Sequence, residues 1–266
     1  MDRVKKIEKK NIQKNLTENF LKLMPTFYEM ESAFLSGVYK RYGDLEGGNI
    51  VIYFARDCHL EILRRRENDL DFDLSLEKFW RNHKDVIQSK KKIIAVSQDT
   101  GLPKETARRK ILSLIKKKHL KKGEKNKLFW EPASELKETY MQIIDEEINS
   151  LSKFIFEQSK FLYLNLSLSK IEREIKNNYS FYWYHFLNVQ LDYIKFWHEK
   201  LKDLEMLLIG LQVIIQTLNF MKRKSNDFSN FLSQSKNYKL ISTKDANISA
   251  TSVSDITGIP RATCIR

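Results

Sequence analysis

Apolar residues recur along most of this chain at the three-to-four spacing of an amphipathic helix. Ala107, Ile111, Leu114 and Ile115 fall at i, i+4, i+7 and i+8, a continuous core-facing stripe, while Lys104, Glu105, Thr106, Arg108, Arg109, Lys110, Lys116 and Lys117 take the remaining faces. Just upstream, Ile93 to Asp99 reads as a short helix with Ile93, Ile94 and Val96 turned inward. Thr100-Gly101-Leu102-Pro103 breaks it. Gly101 suits the left-handed conformation that ends a helix, and Pro103 suits the first position of the next, where its missing N–H costs nothing. The second helix is then expected over Pro103 to Lys118. Beyond it, Gly123 to Asn126 reads as a polar turn between two short segments, the second ending in Leu128, Phe129 and Trp130, a β-hairpin signal closed off by Pro132.

Two further stretches predict buried helices. Met206 to Met221 carries no charge, yet its 16 residues fall short of the roughly 20 needed to cross a bilayer core. Gln212, Gln216 and Asn219 give it one polar stripe, so it reads as a bundle helix and no membrane partner is expected. Tyr179 to Trp197 has an aromatic or aliphatic residue on nearly every face and is expected to be covered on most sides, inside the bundle or at a subunit interface. Trp183, Tyr184 and Trp197 could line a pocket for a small-molecule effector; core packing is the preferred reading. Only 8 Gly and 4 Pro in 266 residues leave few breaks, which favours a mainly α fold.

The chain repeats itself. Val96 to Arg109 reads VSQDTGLPKETARR and Val253 to Arg266 reads VSDITGIPRATCIR, identical at seven of fourteen positions, with Leu102 and Ile259 a further conservative match. At an offset of 159, Asp44-Leu45-Glu46 matches Asp203-Leu204-Glu205, each opening an apolar run, and Phe27 and Phe72 meet Phe186 and Phe231. These matches suggest two copies of a unit of about 130 to 160 residues. The expected organisation is a helical segment over 1–89, the motif and hairpin over 90–132, a second aromatic-rich helical segment over 133–223, a flexible linker over 224–247 rich in Ser, Asn and Lys, and the start of a second motif over 248–266. The second copy stops soon after its turn, which reads as a truncated chain.

Charge sharpens the picture. Formal net charge is +13, and Lys90 to Glu131 alone carries 14 basic and 4 acidic residues. A basic segment this concentrated is the electrostatic footprint of a polyanion. Two cysteines, Cys58 and Cys264, and no basic-then-apolar leader point to a reducing, cytoplasmic setting rather than secretion.

Helix, glycine turn, basic helix and basic hairpin, over Lys92 to Glu131, resemble the winged helix-turn-helix of bacterial transcription regulators of the MarR and GntR families. The second motif resembles only its opening. The resemblance implies double-stranded DNA as the partner, with the helix after the turn in the major groove and the hairpin reaching the backbone or minor groove. Carried over, base reading falls to Lys104, Thr106, Arg108 and Arg109. Phosphate anchoring falls to Lys110, Lys116, Lys117, Lys121, Lys122, Lys125 and Lys127. Arg261, Thr263 and Arg266 are weaker counterparts in the second motif. A regulator is the leading reading, its helical segments forming a homodimer or pseudo-dimer. The alternatives are a plasmid or phage-type replication initiator, since these too resemble two winged helices in tandem, and a winged-helix module that binds protein.

Catalysis is not expected. The chain has no phosphate-cradling glycine loop, no nucleophile elbow and no H-E-x-x-H, and its histidines at 59, 83, 119, 185 and 198 are scattered. No cofactor or metal is implied: Asp69, Asp71 and Asp73 lack the glycine and terminal glutamate of a calcium loop and read as an acidic cap before a helix starting near Ser75. Lys5 to Lys14 and Arg64-Arg65-Arg66 read as solvated helix surface or ends.

Overall fold

The computed structural model describes residues 7–89, 91–123, 127–224 and 248–265. It is mainly helical, with one two-stranded antiparallel sheet among the described residues. In chain order the elements are α1 (Lys9–Glu18), α2 (Phe20–Tyr42), α3 (Leu45–Asn68), α4 (Leu76–Asp85), α5 (Ile93–Thr100), α6 (Lys104–Lys116), β1 (Leu120–Lys122), β2 (Leu128–Trp130), α7 (Lys137–Phe161), α8 (Leu168–Asn177), α9 (Tyr179–Leu201), α10 (Leu204–Lys224), α11 (Ala250–Thr257) and α12 (Arg261–Ile265). No helix among the described residues is long and apolar enough to cross a membrane.

Short polar side chains start several helices. Asp44 accepts from Gly47 N at 2.6 Å to open α3, and Ser75, Ser167 and Ser249 accept the N–H three residues on at the starts of α4, α8 and α11. Before α4, Asp73 accepts from Ser75 N and Asp69 from Asp71 N, so the acidic run forms local turns and Ser75 itself is the cap.

Helices α2, α3, α9 and α10 form the centre, with α7 and α8 packed outside α2 and α9. Phe34, Val38, Ile50, Phe54, Ile62, Phe79, Tyr179 and Leu208 are fully buried there. Two expectations need correction. Gln212 does not sit on a solvated stripe: it is buried and donates to Ser32 Oγ on α2, while Val213 and Ile214 beside it face outward. The cost of burying an amide is offset by that hydrogen bond, so register against α2 overrides the polar pattern. Helix α9 is not covered on most sides by the bundle itself: Phe181, Val189 and Phe196 line a face exposed in the single chain. Trp183 is core, beside a cavity of about 30 Å³ that has no room for an effector, while Tyr184 and Trp197 are half-buried. Of the expected linker, Lys224 belongs to α10 and residues 225–247 lie outside the described residues, as does Phe231.

Helix boundaries in the two halves keep a constant spacing. Helices α8 and α9 start and end 159 positions after α1 and α2, and α10 starts 159 after α3. The junctions match too. Asn19 and Asn178 break the chain between short and long helices, each donating its N–H to the residue four before it, Asn15 and Glu174. Gly43 and Lys202, with φ of 83° and 60°, end the long helices in the left-handed region, donating to Tyr39 O and His198 O. Helices α11 and α12 start 157 positions after α5 and α6. The match is not perfect: an added Cβ at Gly101 would meet open space, whereas one at Gly258 would sit 3.8 Å from Tyr39 and Lys40 on α2.

Candidate nucleic-acid interface

The turn between α5 and α6 is built by short-range bonds. Thr100 Oγ1 donates to Val96 O at 2.7 Å, Ser97 Oγ donates to Leu102 O at 2.6 Å, and Gly101 takes φ 72°. Val96, Thr100 and Leu102 are all buried. The α11–α12 turn repeats the pattern: Thr257 Oγ1 donates to Val253 O at 2.7 Å and accepts from Ile259 N at 3.1 Å, with Gly258 at φ 79°. Matching residues therefore do matching work: Val, Thr and the apolar residue after Gly pack inward, while Gly supplies the left-handed bend. Pro103 lies one position earlier than expected, as the cap preceding Lys104. Ile94, expected inward, is 52% exposed, because in the eight-residue α5 only the Val96 and Thr100 side meets α3.

Helix α6 seats on α3 through Ala107, Ile111 and Leu114, with Ile115 partly buried beside them. Polar ties fix both helices. Tyr53 OH donates to Asp99 Oδ2 at 2.7 Å. Lys110 reaches Asp44 at 2.7 Å and Glu46 at 3.1 Å, and is only 20% exposed. Lys117 Nζ donates to Tyr42 O at 3.0 Å, at the C-terminal end of α2 where a cation is favoured. Lys110 is thus a strut, not a free phosphate contact, and Lys117 spends its ammonium on the scaffold. Helix α6 also ends at Lys116, two residues short of expectation, and Lys118 turns left-handed at φ 62°.

The hairpin pairs Leu120 with Trp130, Lys121 with Phe129 and Lys122 with Leu128. Leu120, Leu128 and Trp130 are buried and alternation puts Lys121 outside, while Lys122, on the Leu120 side, is exposed at the end of the strand. Gln88 clamps β2 by donating to Trp130 O at 2.6 Å and accepting from Trp130 N at 2.9 Å, and Lys91 adds a single antiparallel bridge to Leu128. Beneath it, buried His119 meets Tyr140 OH at 2.9 Å; burial pushes its pKa down to about 4, helped by Lys117 and Arg41, so it is a neutral packing group.

The solvent side of α6 carries Lys104, Glu105, Arg108, Arg109, Leu112 and Lys116. Arg108 grips Glu105 one turn earlier, Nε to Oε1 at 2.9 Å, and this bond holds the Glu105 carboxyl below its ordinary range. Lys121 pairs with Glu131 at 2.8 Å. Lys104, Arg109, Lys116 and Lys122, with half-buried Lys127, form no ion pair among the described residues; Thr106 is half-buried beside them. Lys125 and Arg266 lie outside the described residues. In the second motif Thr263 is half-buried, and Arg261 Nε donates to Thr251 Oγ1 at 3.1 Å. Among the other basic clusters, Arg64 pairs with Glu61, Arg65 with Asp69, and Arg66 donates to Phe72 O, so these arginines close the end of α3.

The sequence reading missed the struts. Nothing local marks Asp99 as the partner of Tyr53, 46 positions away, or Lys110 as the partner of Asp44. The Asp-Leu-Glu repeat was a visible signal at 44–46, but not of what it would hold. No group of His, Cys, Asp or Glu among the described residues could hold a metal ion.

No family model, curated protein or solved structure gives a significant match to this chain.

Proposed function

We propose that the chain binds double-stranded DNA through α6 and the β1–β2 hairpin, as a winged helix-turn-helix, and acts as a transcriptional regulator. The observation that carries this reading is the division of labour on α6: one face is locked to α3 by Ala107, Ile111, Leu114 and Lys110, the opposite face presents Arg109 and Lys116, and Lys104 is exposed at the helix start, none of the three in an ion pair among the described residues. A cation without a partner is what a phosphate can recruit; a lysine already spent on Asp44 is not. Base reading then rests on Lys104 and Arg109, with Arg108 free to exchange Glu105 for a base edge. Phosphate anchoring rests on Lys116, Lys122 and Lys127. The matched helix boundaries and turns support reading the two halves as copies of one unit, so that the chain forms its own pseudo-dimer.

The test is a titration of fluorescent duplex DNA at several salt concentrations. Four or five neutralised phosphates give a slope of log affinity against log salt of about −4. Arg109→Ala lowers specific affinity by about 1–3 kcal/mol at unchanged helicity. A flat salt response rejects the reading. One observation favours a second reading, a protein-interaction module: the exposed Phe181, Val189 and Phe196 stripe of α9 is apolar surface of the kind that seats a partner or a second copy. That reading predicts a stable complex and no salt-sensitive DNA binding.

A further inference from the structure

The operator relating the two halves is legible in their contacts. In a two-fold arrangement contacts are reciprocal: if residue i touches the equivalent of j, then j touches the equivalent of i. Phe27 and Phe186 stand at equivalent positions 159 apart, and so do Phe34 and Tyr193. Phe34 packs edge-on against Phe186 with centroids 5.2 Å apart, and Phe27 packs edge-on against Tyr193 at 6.3 Å. The pair and its exchanged pair both exist. At helix level α2 packs on α10 and α9 packs on α3, again an exchange of partners.

One contact marks the axis itself. Gln190 Nε2 donates to Glu31 Oε1 at 3.0 Å, and Gln190 is the position equivalent to Glu31. A residue on or beside a two-fold axis touches its own counterpart, as here. A pair of units related by translation does not offer the reciprocal aromatic pairs as well. The turns ride on helices the axis exchanges, α5 and α6 on α3, and α11 on α10, though α11 also packs on α2.

We infer that the DNA element recognised by a single chain is an inverted repeat, with α6 on one half-site and α12 on the other. Two-fold related reading helices meet the duplex in opposite polarity, so the sequence they match must itself be two-fold symmetric; tandem heads related by translation would match direct repeats. This inference rests on the DNA-binding reading above.

Selection of the full chain against a randomised duplex pool, followed by footprinting and measurement of chains per duplex, tests it. The expected result is enrichment of inverted repeats, one chain per duplex, and at least tenfold tighter binding than to the same half-sites arranged directly. Arg109→Ala then removes protection from one half-site and Arg261→Ala from the other. Enrichment of direct repeats or lone half-sites, or two chains on each inverted repeat, overturns the inference and leaves DNA binding intact. Absence of salt-dependent DNA binding overturns both.

Discussion

Helices α2 and α9 start and end 159 positions apart, equal in length and each ended by a left-handed residue, yet their outer faces have opposite fates. The outer face of α2 is covered by α7. Gly37 lets that helix come so close that an added Cβ would lie 2.7 Å from Ile143 and 2.9 Å from Glu147, and Arg41 closes a buried ion pair with Glu147 at 2.5 Å. Burial raises the Glu147 carboxyl to about 7 against the pull of Arg41, whose own charge the pair secures. At the equivalent positions α9 carries Phe196, 54% exposed, and Lys200, exposed above the Phe196 ring. Among the described residues nothing covers them. The comparison teaches that two helices with matching boundaries can share inner contacts, while the outer chemistry of each follows from whatever packs there.

Substitutions at equivalent positions break this comparison most sharply at the ion pair. Arg41→Ala strands Glu147 in the core and is expected to lower stability by about 3–5 kcal/mol, whereas Lys200→Ala stays within about 0.5 kcal/mol, both read from denaturant midpoints. Equal effects would erase the distinction between the two faces.

Next in size is the axis pair. Burial lifts the Glu31 carboxyl from 4.5 to about 7, opposed by the bond from Gln190, and its second oxygen has no partner. A raised carboxyl disfavours the folded state as pH climbs: the unfolded chain ionises first, so stability is fully present below about pH 4.5 and falls until pH passes about 7. Glu31→Gln removes that loss and puts the same residue on both sides of the axis. It is expected to stabilise by roughly 2 kcal/mol at pH 8 and little at pH 5. A pH-independent gain would show that Glu31 is not the titrating group.

Smaller still is the spacing between α2 and α7. Gly37→Ala is expected to cost about 1–2 kcal/mol by overpacking against Ile143, with Phe196→Ala near neutral at the equivalent site. Thermal melts of the two variants side by side decide it, and a neutral Gly37→Ala would mean α7 can shift outward freely.

Much of the candidate interface was legible before any coordinates. The alternation of Ala107, Ile111 and Leu114 with charged residues placed α6, and Gly101 placed its start within one position, because helix period and left-handed glycine are local properties. The hairpin followed from Gly123 and the apolar Leu128-Phe129-Trp130 run. Ile94 was misplaced because an eight-residue helix buries too narrow a face for three apolar positions. Gln212 was misplaced because a long-range hydrogen bond to Ser32 outweighed the apparent amphipathic pattern.

By itself the sequence determined the helical elements, the repeated turn and the concentration of positive charge, since propensity, periodicity and composition act over a few residues. Which lysines are free was decided by tertiary structure: Lys110 and Lys117 sit in the same basic run as Lys104 and Lys116, but only folding brings Asp44, Glu46 and the Tyr42 carbonyl to them. The contacts between the halves were decided there too: Phe34 meets Phe186 and Glu31 meets Gln190 only once the chain has closed on itself, because they lie some 150 residues apart in sequence.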